Sequence, residues 1–247
     1  MDTTDSATKA EFAYRTLRQD ILEARLRPGV PLRLGQIRET YGMGWTPLRE
    51  ALSRLEAEHL VTSTANKGFT VAMVSMAELR DLTEARRLVE LPMLTQSIAH
   101  GDVDWETALV AAHFRLSRCK PPVENPEDLF VSDWETHHTA FHFALVSACK
   151  SPWQMRFYLQ IHDHLRRHHR ALTFMPTLDA SKEPQWHESP VYRALRDAVA
   201  LEPHTELMNA AIDRDVERAV SLLDVHIELT KQVFAAADTK TKSETPV

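Results

Sequence analysis

Residues 45–74 read WTPLREALSRLEAEHLVTSTANKGFTVAMV, and how this stretch divides decides the fold. Its first half, to about Leu60, runs as a helix. Thr46 suits the N-cap and Pro47 the first helical position, where a missing N–H costs nothing. Beyond Leu60, apolar and polar residues alternate around Asn66-Lys67-Gly68, which predicts a two-stranded hairpin. Upstream, LGQIRETYG is a short helix ending at Gly42, a residue fit for a C-terminal cap. Residues 11–25 place Phe12, Leu17, Ile21 and Leu22 at helical spacing, and LRPGVPL breaks the chain between these two helices. Three helices followed by a hairpin make a winged helix-turn-helix.

The whole chain has 247 residues, enough for two domains, with 43% apolar residues and only 6 glycines. That composition predicts a mostly α protein. No run of about 18 apolar residues exists to span a bilayer. The start, MDTTDSATKAE, lacks the basic and apolar parts of a signal peptide, so a cytoplasmic location is expected. Cys119 and Cys149 have no zinc-finger spacing and read as ordinary buried thiols of a reducing compartment. The formal net charge of −6 by itself argues against nucleic acid. It is unevenly spread, however: residues 1–73 hold ten Lys/Arg against nine Asp/Glu, and the remainder 19 against 26. An acidic body behind a near-neutral, arginine-bearing N-terminal third is compatible with DNA binding through one small domain.

From Met76 to about Phe234 the pattern is helical, with segments expected at 76–100, 103–118, 126–148, 151–174, 188–201, 203–213 and 216–235. CKPPVENPED and FMPTLDASKEPQWHESP read as loops. The domain boundaries that follow are a tail at 1–9, the winged helix-turn-helix at 10–74, an all-α helical bundle at 75–236 and a disordered tail at 237–247.

Polar residues on apolar helix faces carry the chemistry. In 76–100, Leu79, Leu82, Val89 and Met93 form a stripe, and Arg86 falls within it. A buried guanidinium needs an anion. Glu90, one turn on, can supply it, or the fork can await a ligand carboxylate. In 126–148, Val131, Trp134, Phe141, Leu145 and Cys149 define a face that includes His138 and His142, with His137 at its edge. Histidines at i and i+4 can chelate one metal, or form a hydrogen-bonded core pair. His204 and His226 lie on the apolar faces of the last two helices, with Asp215 midway between them. In an antiparallel hairpin each would stand about 11 residues, roughly 16 Å, from the turn and face the other at equal depth. Asp133 and Glu135 do not share the stripe, and HDHLRRHH at 162–169 reads as a solvated or interface face.

RPGVPL, TPLREALSRLEAEHLV and NKGFTV resemble the DNA-binding domain of GntR-family transcription regulators over about 65 residues. The resemblance implies that the helix from Trp45 enters the major groove of operator DNA, with Trp45, Thr46 and Arg49 near the bases. It implies Arg33 at a phosphate, Lys67 as a further DNA-binding residue, and Gly68 in a wing close to the minor groove. Where the family usually has Ser-Arg before Thr-Pro, this chain has Gly44-Trp45, so an indole with one donor replaces a fork that reads guanine. The plainer possibilities are that Trp45 packs the helix start and that Arg49 pairs with a nearby glutamate.

EARRLVE, HTAFHFALVSACKSPW and HTELMNAAIDRDVERAVSLLDVH resemble the FadR-type ligand-binding domain, whose Asp-x-x-x-His pair and two later histidines bind a divalent metal. That resemblance implies a homodimer, His138, His142, His204 and His226 as metal ligands, and Arg86 as the contact for a small carboxylate effector. His138 stands where the family has aspartate. Four imidazoles would favour Zn²⁺ or Ni²⁺ over Mg²⁺ or Mn²⁺. The carboxylate could also bind there without metal. GDVDWE, HHTAFHFALVSACKSPW and that histidine are similar to the carbon-starvation-induced, glutarate-responsive repressors, which makes a short dicarboxylate the first expected effector. The reading is therefore a ligand-responsive regulator, a repressor and not an enzyme. A metal-dependent hydrolase would leave the winged helix unexplained and lacks a placed general base. An architectural DNA-binding protein with a purely dimerising helical domain is the third possibility.

Overall fold

The computed structural model describes residues 3–65, 68–124, 127–181 and 185–243. They divide into two units, the first reaching Leu79 and including His162–Ala171, the second holding the rest.

In the first unit, α1 (Thr3–Leu22) buries Ala13, Leu17 and Ile21, spaced four apart on one face. They join Leu48, Ala51, Leu52 and Leu55 from α3 (Trp45–Ala57), with Ile37 of α2 (Leu34–Tyr41), in one apolar cluster. Gly42 ends α2 in the left-handed conformation, φ +64°, and its N–H returns to the Arg38 carbonyl. Thr46 is not the N-cap of α3. Gly44 is, with extended backbone and no side-chain bond, and the first helical bond runs from Leu48 N–H to the Gly44 carbonyl at 3.2 Å. Pro47 is accommodated because the first helical N–H groups have no internal acceptor, so it forces no helix start of its own.

The hairpin is β2 (Val61–Thr64) with β3 (Gly68–Val71), in the register Val61↔Val71 to Thr64↔Gly68. A third strand, β1 (Pro31–Leu32), pairs antiparallel with β3 to give the order β1-β3-β2. A two-residue strand has no periodicity to read, and its proline sits at the sheet edge, where no N–H is required.

The 162–169 stretch is buried against this unit rather than solvated. Arg167 donates to the carbonyls of Ala72 at 2.8 Å and Met73 at 3.3 Å. His164 bonds the Glu58 carbonyl at 2.9 Å, and His168 reaches Glu78 at 3.1 Å. Arg18 bridges Asp163 and Glu58.

The second unit takes α4 (Met76–His100) from Arg80 on, α5 (Val103–Ser117), α6 (Asp128–Val146) and α7 (Pro152–His169) as far as Ile161, and resumes at Leu172 within a π-helical turn at Arg170–Phe174. It continues through α8 (Met175–Ala180), a 3₁₀ turn at Trp186–Glu188, α9 (Pro190–Ala198), α10 (Leu201–Ile212) and α11 (Val216–Ser243). The segment expected as one long loop after Thr173 therefore contains α8, whose single turn and a half is too short for a periodicity signal. Helix extends into both expected tails, from Thr3 at one end and to Ser243 at the other. Met93, Leu94, Leu109, Phe141, Leu145, Leu207, Leu223 and Ile227 form the core.

The GDVDWE corner is explained by packing. A Cβ on Gly101 would lie 2.2 Å from the Trp105 ring, and Asp102 caps α5 by accepting from Trp105 N–H at 3.0 Å. Arg214, in the α10–α11 turn at φ +61°, donates to the Ile98 carbonyl at 2.7 Å and to that of Gly101 at 3.0 Å. These bonds hold the α10–α11 hairpin to the α4–α5 corner. Among the described residues no helix is long and apolar enough to cross a membrane.

Candidate functional site

Because Leu48, Ala51, Leu52 and Leu55 turn α3 inward on one face, Trp45, Thr46 and Arg49 are left exposed at its N-terminal end. Trp45 keeps 47% of its surface, and the Arg38 guanidinium lies over its ring at 4.9 Å. Trp45 thus does not pack the helix start. Arg49 forms no pair with a glutamate among the described residues. Arg33, also exposed, occupies the N-cap of α2. Gly68 opens β3 at φ +83°, and a Cβ added there would meet nothing within 4 Å, so its backbone angle, not crowding, demands glycine. Lys67 lies outside the described residues.

In the second unit, α6, α10 and α11 bring His138, His142, His204 and His226 together. One ring nitrogen from each lies within 4.8 Å of the others. His142, His204 and His226 are buried, and His138 is half-buried, its ring stacked on Trp134 at 4.3 Å. The imidazole of His204 shows what the cluster can do. Its Nδ1–H donates to the Ala200 carbonyl at 2.8 Å, which leaves the Nε2 lone pair aimed at no hydrogen-bond partner although it is buried. Nε2 of His142 and Nε2 of His226 meet at 3.1 Å. Burial first, then the neighbouring imidazoles, holds His138 and His226 well below the usual histidine range and pushes His204 down to about 3. Neutral imidazoles converging lone pairs on one point are the donor set a transition metal takes. Asp133 and Glu135 contribute nothing to this group, and His137 stands outside it.

Residues 9–71 match the gntR family of bacterial regulatory proteins, and residues 81–229 match the FCD domain. The chain belongs to the GntR family and carries an FCD domain. This regulator is 35% identical over 219 residues to the HTH-type transcriptional regulator BphR of Paraburkholderia xenovorans LB400, covering 88% of this chain and 82% of that one. It is 30% identical over 214 residues to the HTH-type transcriptional repressor GlaR of Escherichia coli K12, covering 87% and 90%. Its fold is that of E. coli McbR/YncC, with TM-score 0.67, 19% identity and coverage of 94% and 98%. The family and these relatives are transcriptional regulators, not enzymes, and GntR regulators bind operator DNA.

Two features of the regulator's site are only half legible in the sequence. Arg86 is buried as its stripe predicts, and Glu90 takes it in a close ion pair through Nε, with Nη2 at 3.3 Å. The same carboxylate stands 3.3 Å from Nδ1 of His142. Arg86 Nη2 approaches that nitrogen too, at 3.4 Å, which would require Nδ1 to accept. Nδ1 of His142 thus faces an acceptor and a donor at nearly equal distance; a metal on Nε2 would require the proton on Nδ1, and Glu90 is the acceptor in place for it. The second feature is Trp134. Its spacing marks it as core, and its stacking on His138, with Phe174 edge-on at 6.2 Å, makes it the wall of the cluster.

Proposed function

We propose that this regulator is a ligand-responsive repressor whose FCD domain holds one divalent metal, of the Zn²⁺ or Ni²⁺ kind, on His138, His142, His204 and His226. A small carboxylate, first of all a short dicarboxylate, binds there with the help of Arg86 and changes the affinity of a homodimer for operator DNA. The observation that carries this reading is the buried Nε2 of His204, which has no hydrogen-bond partner and points among three further imidazole nitrogens within 4.8 Å. The depressed basicity of the histidines supports the metal over a metal-free carboxylate site. Neutral rings offer an anion no charge, whereas a bound dication does.

On the DNA side, the recognition helix is α3, with Trp45, Thr46 and Arg49 at the bases, and Arg33, Lys67 and Gly68 at the backbone. The exposed indole of Trp45, in place of an arginine, supports an operator that departs from the guanine-reading sites of the family.

Elemental analysis after gentle purification, paired with thermal-shift screening of C4–C6 mono- and dicarboxylates with and without chelator, tests the proposal. Near-stoichiometric Zn or Ni is expected, with a carboxylate shift that chelator abolishes and that His204→Ala lacks. A metal-free protein that still responds to its carboxylate overturns the metal's part. If no small acid shifts the protein at all, the helical domain only dimerises.

A further inference from the structure

A second group of donors lies away from the four histidines. Cys119 follows the C-terminal end of α5, and Asp133 and His137 stand four apart on α6, so both project from one face of that helix. The Cys119 sulfur, an Asp133 oxygen and a His137 nitrogen lie within 4.8 Å of one another, with Asp133 Oδ1 3.7 Å from His137 Nε2. Cys119 and His137 are half-buried and Asp133 is exposed. Cys119 is thus not the enclosed thiol its sequence context suggests, and an ion can reach all three donors without opening the core.

We propose that Cys119, Asp133 and His137 form a second metal site, for a borderline-soft divalent cation of the zinc and cobalt class. The donor chemistry selects that class. One thiolate and one carboxylate together neutralise a dication, imidazole adds a third donor, and sulfur disfavours Mg²⁺ and Ca²⁺. The geometry requires little movement. With bonds of about 2.0–2.3 Å, donors on a tetrahedral zinc lie roughly 3.5 Å apart, so a closure on the order of 1 Å suffices. Without metal, the Cys119 thiol donates to the Arg115 carbonyl at 3.4 Å. On binding, the cation takes the place of that proton on sulfur, and the proton leaves to solvent. Cys119 also lines a cavity of about 390 Å³ with Leu116, Trp134, Val199 and Leu201. Exposure of Asp133 leaves the site open to a water that completes four-coordination.

Titration of the full-length protein with Co²⁺ tests the site, because only a thiolate ligand gives an intense sulfur-to-cobalt charge-transfer band. The band is expected in the wild type, in Cys149→Ser and in His142→Ala, and is expected to vanish in Cys119→Ser. Asp133→Asn and His137→Ala should each weaken Co²⁺ binding at least tenfold. No band in the wild type, or a band that survives Cys119→Ser, overturns the proposal. The His142→Ala arm keeps this result separate from the fate of the four-histidine centre. Alkylation of the wild type, mapped by mass spectrometry, needs no variant to fold. Zn²⁺ should slow labelling of Cys119 at least tenfold and leave Cys149 unchanged, and equal labelling of Cys119 with and without Zn²⁺ overturns the proposal.

Discussion

Glu90→Gln should uncouple the metal affinity of the four-histidine cluster from the fold around it. The substitution keeps size and shape but removes the charge that faces both Arg86 and Nδ1 of His142. Two costs follow. The buried Arg86 guanidinium loses its counter-ion, and breaking a buried pair from one side costs about 3–5 kcal/mol. With a metal on Nε2 of His142 its proton must sit on Nδ1, which then faces a neutral amide instead of a carboxylate, and outer-sphere losses of this kind lower metal affinity about 10–100-fold. That range corresponds to roughly 1.4–2.7 kcal/mol. Urea denaturation of the metal-free protein reads the first cost, and competition with a chromogenic chelator reads the second. The double variant Arg86→Met/Glu90→Gln should recover much of the stability while leaving metal affinity low, because no unpaired charge remains. Metal affinity unchanged in Glu90→Gln would refute this outer-sphere role of Glu90, whatever happens to stability.

Arg49→Ala should weaken operator binding by about 1–3 kcal/mol in a gel-shift titration, with an unchanged melting temperature because its side chain is exposed. Gly101→Ala should destabilise by about 1–3 kcal/mol in chemical denaturation, since its Cβ would meet Trp105 and the Ser97 carbonyl. Acid should destabilise the metal-free chain. His138, His204 and His226 are held well below the usual histidine range, and His164 and His168, packed with Arg167, Glu78 and the Glu58 carbonyl, are held below it too, mainly by burial. The unfolded chain therefore binds more protons as pH falls below about 6.5. Stability present above that pH is lost as the pH descends toward the depressed values. Unfolding free energies between pH 7.5 and about 5 should show the decline, and His164→Asn should flatten it. An equal slope in the variant would remove His164 from the account.

Periodicity is enough to place most helices, because burial of one face repeats every three to four residues over α1, α3, α4 and α6. It fails where elements are shorter than their own period. The strand β1 has two residues and α8 has six, and neither leaves a pattern. The N-cap of α3 misleads for a related reason: Thr46-Pro47 satisfies a local preference, whereas Gly44 takes the position. For 162–169, a run of His, Asp and Arg reads as hydrophilic, yet Arg167 and His168 are enclosed, with backbone carbonyls taking both Nη groups of Arg167 and Glu78 taking His168.

The sequence by itself determined the winged helix-turn-helix, the helical body and the four histidines lying on apolar helix faces. Each of these depends on local spacing, which a helix or strand converts directly into direction. Only the tertiary structure decided which lone pairs converge. The Ala200 carbonyl places the proton of His204 on Nδ1, and Nδ1 of His142 is faced by Glu90 and Arg86 from another helix. It also decided the fate of His137, which spacing left at the margin. Packing of α5 beside α6 brings Cys119 to Asp133 and His137, a contact that links residues too far apart in the chain for any local pattern to record.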